Sequence, residues 1–201
     1  MILHATYMDD EALKAVTDRK VPLVPTFTFQ ANLADFGAAI GSDQTLREVF
    51  RAEITESVDT LRTAFDAGVP LLTGSESGFS LTPYGDWHYR ELQVFVEDLG
   101  MTPLQAINSA TEQGARAKLE GELGCIKPGY LADILVSDGE PDISVTQLGE
   151  QHRFRTIMKA GRVIDTHSPL PSDWQLPGWR VSEYSERILT RELVESMGLT
   201  G

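Results

Sequence analysis

Residues 46–74, LREVFRAEITESVDTLRTAFDAGVPLLTG, join an amphipathic helix to a short apolar strand and thereby decide the fold class. The apolar residues of the first part recur every three or four positions, which is the spacing of one face of an α-helix. They are Leu46, Val49, Phe50, Ile54, Val58, Leu61 and Phe65. Gly68 ends this pattern, and residues 69–74 are almost entirely apolar, as is typical of a buried parallel strand.

The same alternation extends toward the N-terminus. Residues 1–4 and 21–27 are apolar runs of strand length, and a helix that begins near Asp9 separates them. We interpret residues 28–41 as a mixed loop, with Ser42 as the N-cap of the long helix. Strands that alternate with helices predict a parallel sheet with helical crossovers.

Helices continue beyond the third apolar run. Residues 75–86 are rich in Gly, Ser and Pro and are interpreted as a loop, and the next helix ends at Gly100. Thr102 and Pro103 then begin another helix in the favoured order, with the N-cap first and proline second. Helical periodicity stops at Gly121.

The last third of the chain has a different pattern. Residues 131–136 and 156–164 are interpreted as short strands of a small β domain, because turn signals lie beside them. The prolines of residues 167–178 predict an extended tail, and apolar spacing over residues 182–197 predicts a final helix.

Composition excludes several classes of function. The chain has 201 residues and a formal net charge of −13, so its surface would repel nucleic acid. No run of about 18 apolar residues is present to span a membrane. The single cysteine, Cys125, excludes an internal disulfide. Residues 1–7 lack the pattern of a secretory signal, and we therefore expect a cytoplasmic location.

Two polar residues follow predicted parallel strands, at the end where α/β barrels place their active sites. His4 closes the first strand, and Glu76 lies just beyond the third. In one interpretation His4 binds a zinc ion, and Glu76 lies beside the metal-bound water and takes its proton. In the other, His4 makes a structural hydrogen bond and Glu76 is a solvated loop residue.

A second group of polar and aromatic residues lies around His88. His88 and Tyr84 are candidates for a substrate pocket, but the aromatic residues near them could equally be packing. His152 and His167 lie in the β region and the tail, where a structural role is the simpler interpretation, and Cys125 is interpreted as a small apolar residue. Residues 74–78 have Glu76 where a nucleophile elbow needs serine.

Four segments resemble the metal-dependent amidohydrolase superfamily, in its imidazolonepropionase-, prolidase- and ochratoxinase-like branch. Residues 4–13 (HATYMDDEAL) resemble the region of the sixth barrel strand, and residues 70–91 (PLLTGSESGFSLTPYGDWHYRE) resemble the eighth strand and its loop. Residues 123–136 (LGCIKPGYLADILV) and 157–164 (IMKAGRVI) are similar to the segments that form the small β-sandwich after the barrel.

The resemblance implies a chemistry and roles for particular residues. It implies hydrolysis of an amide or cyclic amide C–N bond in a small molecule, by a water activated on one or two divalent ions, most simply zinc. His4 would be the metal ligand of the sixth strand. Glu76 would replace the aspartate of the eighth strand, which binds metal and shuttles the proton. Glutamate is longer by about 1.5 Å, so either the backbone at residue 76 must retreat or the metal geometry fails.

The superfamily's other metal ligands have no counterpart in this chain. They are a His-x-His pair, a lysine and a further histidine on earlier strands. A closed barrel has eight strands in about 250 residues, whereas three strands are predicted here. We therefore expect an α/β fold: the last three β/α units of a TIM (β/α)8 barrel in residues 1–120, β-sandwich strands in 121–165, and an extended tail with a terminal helix in 166–201.

Two hypotheses about function follow. In the first, this chain carries part of the active site of a metal-dependent amidohydrolase, with His4 and Glu76 at the metal, and Tyr84 and His88 at the substrate. In the second, it is a non-catalytic, truncated remnant that is stabilised by a partner or by forming a homo-oligomer, because an open sheet would leave apolar surface exposed.

Overall fold

Three chain segments run parallel in the first part of the chain. The computed structural model describes residues 1–116, 122–166 and 184–199. β1 (Ile2–Leu3) pairs in parallel with β2 (Leu23–Val24). Leu71 adds a single parallel bridge to Leu23. Beyond this bridge, residues 69–74 do not form a strand. The predicted parallel order is therefore present in shorter form, with the C-terminal ends of all three segments at one edge.

Two of the helices between these segments begin at acidic N-caps. α1 (Asp10–Arg19) begins at Asp9, whose carboxylate accepts a 2.8 Å hydrogen bond from Ala12 N. α3 (Gln44–Asp66) is the long amphipathic helix predicted from the sequence. Its N-cap is Asp43, so the prediction of Ser42 as the cap was wrong.

A helix occupies the region that we interpreted as a loop. α2 (Phe27–Phe36) begins two residues after Pro25, and a 3-10 turn (Gly37–Ile40) continues it. The predictions of a strand through residue 27 and of a loop over residues 28–41 were therefore wrong. Residues 27–33 of α2 are all buried, so the helix has no polar face for a periodicity test to detect.

The remaining helices of the first part follow the sequence signals. α4 (His88–Glu97) comes before α5 (Pro103–Asn108), which begins with a capping box between Thr102 and Gln105. A π-helical turn (Ser109–Gln113) and α6 (Gly114–Arg116) complete this helical stretch. The prediction that Thr102 and Pro103 begin a helix is confirmed.

The second sheet is antiparallel. β3 (Ile134–Ser137) pairs with β4 (Phe154–Lys159), which pairs in turn with β5 (Arg162–Val163). Two 3-10 turns, Val145–Gly149 and Gln151–Arg153, lie between β3 and β4. The turn signal at Ala160 and Gly161 is confirmed, because it separates β4 from β5 within the predicted strand region 156–164.

Residues 184–199, the C-terminal segment, pack back onto the first part of the chain. α7 (Arg191–Ser196) is shorter than the helix predicted over residues 182–197, and the predicted tail over 167–178 lies outside the described residues. Trp87 Nε1 donates a 2.9 Å hydrogen bond to the backbone oxygen of Leu189. In the described ranges, no helix is long and apolar enough to cross a membrane.

Two apolar clusters hold the described residues together. The larger one joins α1, α3, α4 and α5 to the buried ends of the parallel segments, and Leu23, Phe27, Ile54 and Phe95 are among its fully buried members. The smaller one brings the C-terminal segment against α2. The chain therefore has a mixed α/β fold in which α2 lies between both clusters.

Candidate active site

His4 and Glu76 face each other across the C-terminal ends of the parallel segments. His4 Nε2 lies 3.4 Å from Glu76 Oε1, and both side chains are partly accessible to solvent. They are more than 70 positions apart in the chain, and the parallel order of the segments brings them to one edge. The structure therefore brings together the two residues that sequence reasoning selected as metal ligands.

Thr26 lies at the end of the middle segment and contacts His4. Its hydroxyl oxygen is 2.7 Å from His4 Nδ1 and 2.6 Å from the backbone oxygen of Pro25. A carbonyl oxygen can only accept, so the Thr26 hydroxyl donates to Pro25. In the tautomer that carries its proton on Nδ1, His4 donates this proton to the Thr26 oxygen, and the lone pair of His4 Nε2 is directed at Glu76.

All three strand-end residues have left-handed backbone conformations. The φ angles are 66° at His4, 61° at Thr26 and 46° at Glu76. Such angles are unfavourable for residues that carry a Cβ, and the surrounding structure must enforce them. At Glu76 this support comes from Thr82, whose hydroxyl donates a 2.8 Å hydrogen bond to the Glu76 carbonyl oxygen.

His88 is linked to the same edge through the loop that carries Glu76. Its Nδ1 is 3.2 Å from the hydroxyl oxygen of Ser75, which lies 2.7 Å from that of Ser77. Gly85 N donates to His88 Nε2 at 3.4 Å. Burial lowers the pKa of His88, although the nearby Asp86 carboxylate opposes this shift. His88 is therefore a neutral hydrogen-bonding group near pH 7.

A large cavity lies beside His88 and away from the His4–Glu76 pair. It has a volume of about 1220 Å³ and extends between α4 and the antiparallel sheet. Ser75, His88 and Glu91 contribute to its wall, whereas His4 and Glu76 do not. Tyr84 is half exposed, over Gly78, and is also absent from the wall. The two predicted pocket residues are thus in different surroundings.

Glu91 is a functional candidate that sequence reasoning missed. It is fully buried in α4, and its carboxylate accepts hydrogen bonds from the backbone of Phe27 and from the backbone and hydroxyl of Thr28. Burial raises the pKa of Glu91 to about 7, although these hydrogen bonds oppose the shift. A glutamate on the apolar face of α4, beside Leu92 and one turn from Phe95, was the signal available in the sequence.

The sequence analysis named three further histidine and cysteine positions. His152 is exposed and lies 3.5 Å from Glu150. Cys125 is partly buried. His167 lies outside the described residues. None of these observations adds a further ligand to the strand-end pair.

The spacing of the strand-end pair suits a zinc ion. Two donor atoms bound at 2.0–2.2 Å to one tetrahedral zinc lie about 3.4 Å apart, which matches the His4–Glu76 separation. The longer glutamate side chain therefore reaches a suitable position. Among residues 1–116, 122–166 and 184–199, no three His, Cys, Asp or Glu side chains gather to hold an ion. In this part of the chain the strand-end pair alone would offer two donor atoms to an ion.

Comparison with known proteins gives one consistent family. The model of the amidohydrolase family matches residues 2–167. A protein from Aspergillus niger named ochratoxinase is 29% identical over 169 residues, which cover 80% of this chain and 33% of that protein. An imidazolonepropionase from Cutibacterium acnes is 34% identical over 133 residues, 65% of this chain and 33% of the relative. The chain thus spans about a third of the length of these relatives.

Solved structures give the same result. A Xaa-Pro dipeptidase with methionine bound in its active site matches with a TM-score of 0.66 and 27% identity, over 81% of this chain and 39% of that one. The crystal structure of A. niger ochratoxinase matches with a TM-score of 0.66 and 23% identity, over 80% of this chain and 36% of the other, and supports the fold alone. These neighbours imply a TIM-barrel type of fold.

Proposed function

Because the chain belongs to the amidohydrolase family, we propose that its strand-end residues form part of the active site of a metal-dependent hydrolase that cleaves carbon–nitrogen bonds in small amide substrates. The observation that carries this proposal is the 3.4 Å approach of His4 Nε2 to Glu76 Oε1. An imidazole lone pair and a carboxylate oxygen repel each other unless a proton or a cation lies between them.

His4 and Glu76 would hold a divalent cation, most simply Zn²⁺, which prefers this mixture of nitrogen and oxygen donors. When bound, the cation supplies Lewis acidity toward the substrate carbonyl group. His4 contributes its Nε2 lone pair, and Thr26 holds the opposite side of the imidazole ring. A hydrogen bond at the second ring nitrogen is the usual way of orienting a metal-binding histidine.

Glu76 also carries the proton in this proposal. Its carboxylate accepts a proton from the attacking water and delivers it to the nitrogen atom of the leaving amine. The turn closed by Thr82 fixes the backbone of Glu76, so the carboxylate has a defined position. His88 and Tyr84 belong to the loop that follows Glu76 and would contact the substrate, His88 as a neutral hydrogen-bonding group.

The remaining part of the site would come from residues other than those described here. We propose that residues 1–120 form three β/α units of a barrel and that residues 121–165 belong to a small β-sandwich, with a tail over 166–201. The parallel order of β1, β2 and Leu71, and the antiparallel sheet that follows, support this division. One or two ions would be bound in the complete site.

Zinc titration of the purified chain, followed through the side-chain ¹⁵N signals of its histidines, tests the proposal. The His152–Glu150 pair is a matched control because its atoms are separated by a similar 3.5 Å, but it lies away from the parallel strand ends. We expect the His4 signals to respond at a lower Zn²⁺ concentration than those of His152, and Glu76→Gln to remove the difference. Equal responses of the two histidines in the unmodified chain would refute the metal site.

A second candidate function is a non-catalytic protein that is stabilised by self-association or by a partner. The observation that favours it is the exposure of β1, where Ile2 is 42% and Leu3 57% accessible. The outer edge of β1 has no strand beside it among the described residues, and such an edge can pair with a second copy.

The mass of the protein in solution tests this second candidate. If β1 mediates association, Leu3→Lys should convert a dimer to a monomer, since a charged residue at a sheet edge opposes pairing. Leu104→Lys is the control, because Leu104 is similarly exposed but lies on α5. A monomeric unmodified chain that binds zinc at His4 would eliminate this candidate in favour of the hydrolase.

A further inference from the structure

We propose that Glu91 is a positioning residue for His4: it caps helix α2 in place of Thr26, and so frees the Thr26 hydroxyl to orient the His4 imidazole. The inference deepens the proposed function. The hydrogen bonds that link Glu91, Thr26 and His4 stand on the geometry, whereas their purpose, to hold His4 for a metal ion, rests on the proposed function. It assigns a role to a buried carboxylate that neither proton transfer nor metal binding uses.

The contacts of Glu91 are those of a helix cap. Its Oε1 accepts a 3.1 Å hydrogen bond from Phe27 N, and its Oε2 accepts bonds of 2.7 Å and 2.8 Å from the backbone and hydroxyl of Thr28. Phe27 and Thr28 are the first residues of α2, whose amides have no partner within the helix. The carboxylate therefore accepts the hydrogen bonds of the first-turn amides of α2, although Glu91 lies more than 60 residues away in sequence.

Four of the other helices differ from α2 in how their first turn is capped, whereas α4 also lacks a side-chain bond from its N-cap residue. In α1, α3, α5 and α7 the N-cap residue uses its own side chain to accept a hydrogen bond from the first turn. Thr26 is the N-cap of α2, yet its side chain makes no such bond. Its hydroxyl lies instead 2.7 Å from His4 Nδ1. A single hydroxyl cannot occupy both positions, so the cap supplied by Glu91 releases it.

The chemistry of the position requires a carboxylate. Both oxygens face N–H or O–H donors, and an ionised carboxylate is a pure acceptor. An amide at this position would direct its own NH₂ group at one of those donors. Burial of the charged carboxylate costs free energy and raises the pKa of Glu91, and the donors of residues 26–28 offset part of this cost, so the carboxylate is ionised above about pH 7.

The test is the protonation pattern of the His4 ring, read from ¹⁵N shifts of Nδ1 and Nε2 at pH 8.5 with no metal or substrate present. In the unmodified chain we expect the proton on Nδ1. Glu91→Gln should give a mixture of both tautomers, and Thr26→Val should do the same, whereas Thr26→Ser should keep the proton on Nδ1. Glu97→Gln, an exposed change on the same helix, is the control.

A milder variant keeps the test informative if Glu91→Gln fails to fold. Thr28→Val removes only the hydroxyl bond to Glu91 and should shift the tautomer equilibrium in the same direction by a smaller amount. In variants that fold, we also expect the Zn²⁺ concentration needed to shift the His4 signals to rise about 10- to 100-fold, the usual loss when a partner of a metal ligand is changed.

Two results would separate the inference from the proposed function. An unchanged His4 tautomer in folded Glu91→Gln or Thr28→Val would overturn the positioning role, whatever zinc does. A tautomer that depends on Glu91 in a chain whose His4 shows no preference for zinc would leave the positioning link intact and refute the metal site. The first measurement needs no ligand, so the two failures are distinct.

Discussion

The backbone of Gly74 lies directly against the side chain of Val24. A Cβ added at Gly74 would be 2.6 Å from Val24 Cγ1 and 2.9 Å from Thr26 Cγ2. The third parallel segment therefore approaches the end of β2 more closely than any residue with a side chain would allow. This approach places Glu76, two residues later, beside His4.

Gly74→Ala should destabilise the fold and widen the strand-end pair. Because the clash involves a branched side chain next to the backbone, we expect the free energy of unfolding to fall by about 1–3 kcal/mol. Urea unfolding followed by tryptophan fluorescence measures this change. Gly114→Ala is the control: the added Cβ would only make an ordinary 3.5 Å contact, so stability should be unchanged or slightly higher.

The pH dependence of stability should report the burial of Glu91. Its folded pKa of about 7 exceeds the value of 4.5 for an unperturbed side chain. Between these values the folded state keeps a proton that the unfolded chain has lost, so stability should fall as the pH rises from 4.5 to 7. The full shift corresponds to roughly 3 kcal/mol.

Urea unfolding at pH 5 and pH 8 checks this prediction in the unmodified chain and in Glu91→Gln. The variant should lose less stability over this interval, because its side chain does not titrate. Burial also raises the pKa values of Asp86 and Asp98, but both residues remain in the variant and contribute equally to the two proteins. Parallel pH profiles would argue against a titrating Glu91.

The Asp86 carboxylate should control the titration of His88. Burial lowers the pKa of His88, and the negative charge of Asp86 raises it in part. Asp86→Asn removes this charge, so we expect the pKa of His88 to fall further. Proton NMR of the imidazole Cε1–H measures the midpoint. Asp59→Asn, on the exposed face of α3, should leave it unchanged, and a rise in Asp86→Asn would contradict the prediction.

The C-terminal segment should contribute strongly to stability, although it lies beyond the part matched by the family model. Leu189 is fully buried in the smaller apolar cluster. Leu189→Ala should lower the free energy of unfolding by about 2–5 kcal/mol, the usual range for a buried leucine. Leu199→Ala, at a partly exposed position, should change it by less than about 0.5 kcal/mol. Thermal and urea unfolding of both variants gives the comparison.

Local signals were sufficient where the helix and its cap are neighbours in sequence. The apolar stripe from Leu46 to Phe65 predicted α3, and Thr102 with Pro103 predicted the start of α5. α2 escaped prediction for two physical reasons. It is buried on every side, so it has no amphipathic period, and its cap is Glu91, which no local pattern connects to residue 27.

The candidate site, like the helices, could be predicted in part from the sequence. His4 and Glu76 could be selected because each follows an apolar run, and the structure places them together. Thr26 occupies the equivalent position after β2, but a threonine there carries no sign of its role until the His4 ring is seen beside it. The separation of Tyr84 from His88 depends on how the loop folds, which spacing does not encode.

The left-handed residues His4, Thr26 and Glu76 imply a trade-off between the stability of the fold and the proposed site. Each conformation costs about 1–2 kcal/mol relative to glycine. A search for the most stable sequence of this backbone would therefore place glycine or asparagine at these three positions, and would erase the imidazole, hydroxyl and carboxylate together. Stability-based redesign of this chain should hold these positions fixed, since the substitutions that it would favour first are the ones that remove the site.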